Sequence, residues 1–552
     1  ASVTIQGLTV ITTNTVAFGV FGSSIGLNLS GVNVDAGGRI WTAGVRVSSF
    51  AAISQSSVTV SAAHGLYLDG HKNTVSLSTA LTNSASFSAL FINGASSNSL
   101  ADLFLRNPLG DAARLDNTAD YNSIARSTMT SQASAGRALF LNISSTNAFS
   151  GCYFENLSGD AAFVNYLSNY NEISGSTMTS AARGYSALLI NDASSNTVRA
   201  SVARNSGGHA LFLNNAAHNT VSLTTAASSG ADQMGLFFNA GARNNFVSES
   251  YIASALGHGA FFNTGSSSNT ITYSTISASA ADKAALFFNT ATTSNTVRAS
   301  VVSNPAGHGA FISDYAAHNE IRGSLVRSAV AGYVGLFFNS YAASNTVTES
   351  TIENGSGYAV WFNPNSKHNL ISLSTVTSAA AGNSAVYLLQ AASNTIDSSY
   401  IQGSTAVWVN GSTGTVVSLS VLIATNTNGS ALLLETGSVN LTVTSATLRG
   451  GLQGAGLTIA QDNRGAVSIA STVVSGSRLG VSVSTQAGGF ALSVDSITFR
   501  NLAAGATAIH FLGGTIVSTI TLANFEDATT GANASAADKV EDFEMADNTL
   551  KV

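Results

Sequence analysis

The chain has 552 residues, a formal net charge of −6 and only 9% charged residues against 45% hydrophobic ones. It carries no basic run, which leaves nucleic acid without an electrostatic footprint, and no apolar run approaches the roughly 18 residues of a membrane span. A single cysteine, Cys152, excludes an internal disulfide framework and reads as a small buried filler.

The surface must therefore be built from Ser, Thr, Asn, Gly and Ala, a composition common in secreted and surface-exposed β-solenoids. An extracellular or cell-surface location is expected on that ground. The chain starts at Ala1, which fits a mature product after signal cleavage or a fragment of something larger. Residues 1–64 form short, loose coils such as Gly26-Leu27-Asn28-Leu29 and Gly44-Val45-Arg46-Val47.

Residues 65–410 repeat. Gly235-Leu236-Phe237-Phe238-Asn239 returns in varied form every 23 to 26 residues, for example as Ala138-Leu139-Phe140-Leu141-Asn142 and Ala285-Leu286-Phe287-Phe288-Asn289. A second landmark keeps the same spacing: Asn73, Asn98, Asn122, Asn147 and Asn171, then Asn196, Asn219, Asn245, Asn269, Asn295, Asn319, Asn345, Asn369 and Asn394. An aliphatic follows nearly every one two residues later (Val198, Val221, Val247), and in most coils Ser or Thr comes five residues later (Thr224, Ser250, Ser274). Short Val/Ile-rich runs at this period predict a three-sided coil of strands, with apolar residues inside and Asn and Ser at the corners. Stacking at about 4.8 Å lets each corner Asn bond the next, forming a structural ladder.

The repeat, seen well in Asn345-Thr346-Val347-Thr348-Glu349-Ser350-Thr351-Ile352, resembles the right-handed parallel β-helix families, the pectate-lyase-like superfamily in the broad sense. The resemblance runs over roughly residues 20 to 524. It implies an all-β fold: a single right-handed parallel β-helix solenoid of about twenty coils, roughly 24–25 residues each. That fold carries lyases, hydrolases, phage spikes, adhesins and structural proteins, so it leaves function open.

A longer period is also present. Gly257-His258-Gly259-Ala260-Phe261 and Gly307-His308-Gly309-Ala310-Phe311 lie 50 residues apart, so the unit of duplication is a pair of coils. Residues 411–524 lose the Asn ladder but keep strands such as Gly456-Leu457-Thr458-Ile459 and Gly480-Val481-Ser482-Val483. Residues 525–552 turn acidic, and Ser535 with Asp538 suggests a helix start that caps this solenoid or reaches a neighbour.

The chemistry-bearing residues do not gather. Glu249 and Glu349 are about 19 Å apart at strand spacing, too far for a general acid/base pair, and the equivalent residues Asp111 and Asp160 are near 10 Å. His209, His258 and His308, with Tyr358 next in the series, are also about 10 Å apart, too far to share a metal. No catalytic, cofactor-binding or metal-binding residue is assigned, and no cofactor is expected. The Thr-x-Thr runs at Thr128-Met129-Thr130 and Thr177-Met178-Thr179 do not continue in the neighbouring coils, so an ice-binding face is not supported.

The remaining feature is the apolar strand itself. The end coils show that its second and fourth residues face the core and its third faces out, as at Asn28 and Ser482. Through the middle coils that third position reads Tyr67, Phe91, Phe140, Phe163, Leu189, Phe212, Phe237, Phe261, Phe287, Phe311, Phe337, Trp361, Tyr387, Trp408 and Leu433. The coil at Ala113 to Asn117 breaks the rule, since Arg114 would point inward, and a local shift is expected there. A stripe of rings can merely stiffen the solenoid by stacking, or it can be buried against a partner. The leading expectation is a non-enzymatic, exported structural protein that associates with copies of itself, laterally or end to end, into a filament, sheath or surface layer. The alternative is an adhesin binding cell-surface glycans by stacking sugars on the rings. A polysaccharide lyase or hydrolase is the third reading.

Overall fold

A computed structural model describes residues 3–23, 26–435, 437–483, 490–503, 505–511, 516–521, 524–526 and 549–551. Every element among the described residues is a β-strand, and the strands form three parallel sheets wound into a β-solenoid of about 21 coils. The chain divides into two compact units, Ala1–Ile276 and Ser277–Val552. The helix start expected at Ser535 and Asp538 lies outside the described residues.

One coil of the first unit shows the plan. Thr197–Arg199 belongs to sheet 1, Val202–Asn205 to sheet 2 and His209–Asn214 to sheet 3. Each pairs in parallel with its counterpart one coil on: Thr220–Ser222, Thr225–Ser228 and Leu236–Asn239. The second unit repeats the plan with Thr296–Arg298, Val301–Asn304 and His308–Ile312. Alternate residues point inward, so Val198, Ala203, Leu211 and Leu213 are buried. Core phenylalanines stack from coil to coil, Phe238 on Phe262 and Phe338 on Phe362, both with centroids 4.6 Å apart.

Polar columns hold the corners. In the first unit each ladder Asn from Asn73 to Asn245 uses its backbone N–H and side-chain amide to bond the Oδ1 of the next, as from Asn245 to Asn269 at 3.0 and 2.8 Å. In the second unit the same ladder runs through Asn295, Asn319, Asn345, Asn369 and Asn394. A hydroxyl column beside it works similarly. Ser350 Oγ accepts the Ser324 N–H at 3.2 Å and donates to the Thr348 carbonyl at 2.8 Å. Cys152 stands in this column, between Ser127 and Ser176, with its thiol on the Ile124 carbonyl at 3.4 Å. It is the expected buried filler, and burial raises its pKa.

The corner between sheets 1 and 2 turns on one left-handed residue per coil. Leu223, Glu249 and Tyr273 have φ of 50°, 48° and 48°, and Ala299, Glu349 and Leu373 have φ of 48°, 53° and 49°. Such conformations cost non-glycine residues roughly 1–2 kcal/mol each. The regular ladders on either side hold them in place.

Candidate functional site

The outer face of sheet 3 carries three columns of side chains. Its central column is the predicted ring stripe, and the registers confirm the alignment. In the first unit it runs Phe21, Arg46, Tyr67, Phe91, Arg114, Phe140, Phe163, Leu189, Phe212, Phe237, Phe261. In the second it runs Phe287, Phe311, Phe337, Trp361, Tyr387, Trp408, Leu433.

Two details differ from the sequence reading. Arg114 does not point inward and no shift occurs: it pairs in register with Phe91 and Phe140, while Ala113 and Leu115 fill the core. The double alanine Ala112-Ala113 displaces the apparent start of the strand by one residue. The column also starts earlier than the spacing shows, at Phe21, which stacks on Phe18 at 4.7 Å, whereas Asn28 is not part of it and belongs to sheet 1, in register with Ala52.

The rings face outward but are not open. Phe140, Phe261 and Tyr387 are buried, and the other ten ring residues of the predicted stripe are half-buried. They cover one another. Phe237 lies between Phe212 and Phe261 at 4.7 and 5.3 Å, with planes within 15°. Phe311 lies between Phe287 and Phe337 at 4.7 and 5.0 Å, with planes within 9°. Both faces of these rings are occupied by neighbours, so the column presents edges to its surroundings.

A second column of side-chain amides runs beside the rings. Asn165, Asn191, Asn214, Asn239 and Asn263 each donate to the Asn one coil earlier, at 2.7 to 3.3 Å. Asn363 donates to Asn339 in the second unit.

The third column leads each strand and explains the histidines. His64 Nδ1 accepts the Ser88 N–H at 3.0 Å, His209 the Met234 N–H at 3.1 Å and His308 the Val334 N–H at 3.1 Å. Asp111 and Asp160 do the same through Oδ1, for Arg137 at 2.9 Å and Ser186 at 2.7 Å. These five residues hold one role in alternate coils, which accounts for the two-coil period. With Nδ1 accepting, each imidazole is neutral and carries its proton on Nε2. Burial pushes His64, His209 and His308 down to about 4. Burial raises both aspartates, Asp160 to about 6.

Charge on this face is concentrated in the early coils; in the second unit Glu435 is in register with Asn410 and accepts the Trp408 Nε1–H at 2.7 Å. Arg46 pairs with Asp69 and lies over Tyr67. Arg114 binds Asp116 at 2.6 Å, and Arg114 and Arg137 flank the Phe140 ring at 5.0 and 4.9 Å. From Leu189 to Phe261, and again from Phe287 to Trp408, no ionised side chain stands in any of the three columns. No group of three metal-ligating side chains occurs among the described residues.

A separate cleft of about 550 Å³ opens on sheet 2 of the second unit, lined by Arg327, Glu353, Thr377, Gln402 and their neighbours. Sequence spacing does not reveal it, because its polar residues come from four successive strands.

The structure thus defines a parallel β-helix with a ring-and-amide outer face. The model for the right-handed beta helix region matches residues 30–198 and 168–326, together more than half of the sequence, and the chain belongs to that family. No curated protein matches it. Among solved structures it is similar to the A-module of a mannuronan C-5 epimerase from Azotobacter vinelandii, at 12% identity over 84% of this chain and 90% of that one, with a TM-score of 0.28. It is also similar to the tailspike of E. coli bacteriophage HK620 in complex with a pentasaccharide, at 9% identity, 76% and 69% coverage and a TM-score of 0.34. An alginate lyase from a Paenibacillus species aligns at 11% identity over 51% of this chain and 90% of that one, with a TM-score of 0.25. These likenesses carry no information about function.

Proposed function

We propose that the protein is an exported, non-enzymatic structural β-helix whose copies associate through the outer face of sheet 3. One observation carries this reading. Within each unit the face is a flat array of ring edges and self-bonded amides with a long uncharged stretch. Such a face loses little solvation when it packs against a copy of itself, and like faces of sheets pack at about 10 Å. The rings serve two ends here, since stacking also stiffens the coil. The alternative of sugars stacked on this stripe has weaker support, because the faces of Phe237 and Phe311 are already covered.

Arg46 and Arg114 supply a clean test, because they show that the fold accepts a cation in the ring column. Phe311→Arg should therefore fold, with an unchanged far-UV spectrum, while burying charge in any sheet 3 contact. Wild-type protein should form oligomers or filaments by sedimentation and electron microscopy, and the variant should shift to monomer, weakening association at least about tenfold. A wild-type chain that stays monomeric at high concentration would sink the proposal, as would a variant that assembles equally well.

A further inference from the structure

The corner leading from sheet 3 back to sheet 1 turns through the residue four places before each ladder Asn. In the first unit that place holds Gly241 and Gly265, with φ of 77° and 70°, and a side chain added at either would meet open space. This is the left-handed region that glycine enters without penalty. In the second unit the same place holds Tyr315 and Tyr341 on consecutive coils, with φ of 64° and 66°. The pairing of Ala317 with Ala343 sets the two corners side by side. That backbone conformation costs a residue with a side chain roughly 1–2 kcal/mol. The turn itself therefore gives no reason for a tyrosine at either place.

The two side chains form a matched pair. Their rings stack with centroids 4.8 Å apart and planes within 2°. Tyr315 is 64% exposed and Tyr341 45%. Neither hydroxyl has a hydrogen-bond partner among the described residues. No other tyrosine pair among the described residues combines stacking with exposure. Tyr358 and Tyr387 also stack, at 5.1 Å, but Tyr387 is buried. Tyr121, Tyr170 and Tyr273 are as exposed as Tyr315, but no ring stacks on them.

Two phenols held face to face in solvent have a reaction open to them that a lone phenol lacks. A one-electron oxidant takes a hydrogen atom from each hydroxyl, and the two phenoxyl radicals join through ring carbons ortho to oxygen. Each of those carbons then passes its hydrogen to its own oxygen, which restores two phenols. With hydrogen peroxide as the terminal oxidant, one peroxide is reduced to two waters, so atoms and electrons balance. The joining step needs a second ring within reach of the first radical, and the stack supplies that proximity. Because both rings are exposed, rotation about their side-chain bonds brings the ortho carbons together while buried Ala316 and Ala342 stay in place.

We propose that Tyr315 and Tyr341 are a site of oxidative phenol coupling, at which a peroxidase with hydrogen peroxide joins adjacent coils of one chain through a ring-to-ring carbon bond. Such a bond closes the coil between them into a covalent loop and restricts the unfolded chain, as other cross-links do. The corner lies outside the strands of sheet 3, so the coupling stands or falls independently of association through that sheet.

The test treats the full chain, at high dilution, with a haem peroxidase and hydrogen peroxide. Mass spectrometry of a tryptic digest should show residues 299–322 joined to residues 328–367 with loss of two hydrogens, from protein that still runs at monomer mass. This product should exceed any joined through Tyr121, Tyr170 or Tyr273 at least about tenfold, the advantage of a partner ring already in place. Tyr315→Phe and Tyr341→Phe keep a stacked ring but remove a hydroxyl, and each should abolish both the joined peptide and its dityrosine fluorescence. The proposal is overturned if the joined peptide does not form, if lone tyrosines couple as readily, if either variant gives as much dityrosine fluorescence as wild type, or if the joined tyrosines come from two chains.

Discussion

His209 shows how one side chain can couple the fold to pH. Its Nδ1 must accept the Met234 N–H, and protonation would put a hydrogen where that bond belongs. In the unfolded chain an imidazole takes its proton near pH 6.5, but in the fold only at about 4. Stability from this site is therefore full above pH 6.5 and is lost as pH falls toward 4, by up to about 3 kcal/mol per histidine. Asp160 holds the same position with the opposite slope: its carboxyl protonates at about 6 in the fold and at 3.8 otherwise, so the fold gains stability as pH falls through that range. His209→Asp, which copies the residue found at Asp160, should thus flatten the acid loss. Urea midpoints at pH 7 and pH 4.5 should fall less in the variant than in wild type, and equal falls would show that the column does not titrate this way. A second substitution probes the hydroxyl column. Cys152→Ser restores the group used on either side of it, and should leave stability unchanged or raise it by up to about 1 kcal/mol in a thermal melt.

At the scale of the coil, stability lies in columns rather than in single contacts. The Asn319 side chain makes four bonds: its Oδ1 accepts the N–H and amide of Asn295, and its amide donates to Asn345 and to the Thr292 carbonyl. Asn319→Ala strands a buried N–H and an amide in the neighbouring coil, and should cost about 2–4 kcal/mol in denaturant unfolding. The Asn column was legible in the sequence because its spacing is regular and an aliphatic follows nearly every Asn at the same offset. The ring column was legible because its strands alternate core and outward residues and polar Arg46 and Thr458 mark the outward place, although Asn28, read in the same way, belongs to sheet 1. Four things were not. Arg114 was misplaced because two alanines blur where its strand begins. The half-burial of the rings depends on side-chain torsions, which neighbouring rings set. Asn107, Asn156, Asn205, Asn304 and Asn354, which tie the loops after sheet 2 to the preceding coil, alternate with serines and so keep only the two-coil period. The cleft escaped notice for a related reason, since Arg327, Glu353 and Gln402 become a set only through strand register.

At the scale of the whole molecule, stability should be graded along each unit, as in other repeat proteins. In the first coil Val3 is in register with buried Leu27 yet is 56% exposed. Amides of Val3–Gln6 should therefore exchange with solvent hydrogen orders of magnitude faster than those around Asn147 or Asn345, and uniform protection would contradict a graded solenoid. The alternation of acceptors in the leading column bears on how such a chain can change length. A coil led by His or Asp offers a lone pair, and the coil after it supplies the N–H that bonds there. Removing residues 209–257 takes out one coil of each kind and brings His258 to the place His209 held, so the sequence of offers is preserved. Removing residues 308–333 alone sets Val334 against Ala284, which has no side-chain acceptor, and leaves the Val334 N–H without the bond His308 gave it. Growth and shrinkage of this molecule should therefore obey a parity rule, in which even numbers of coils are tolerated and odd numbers are not.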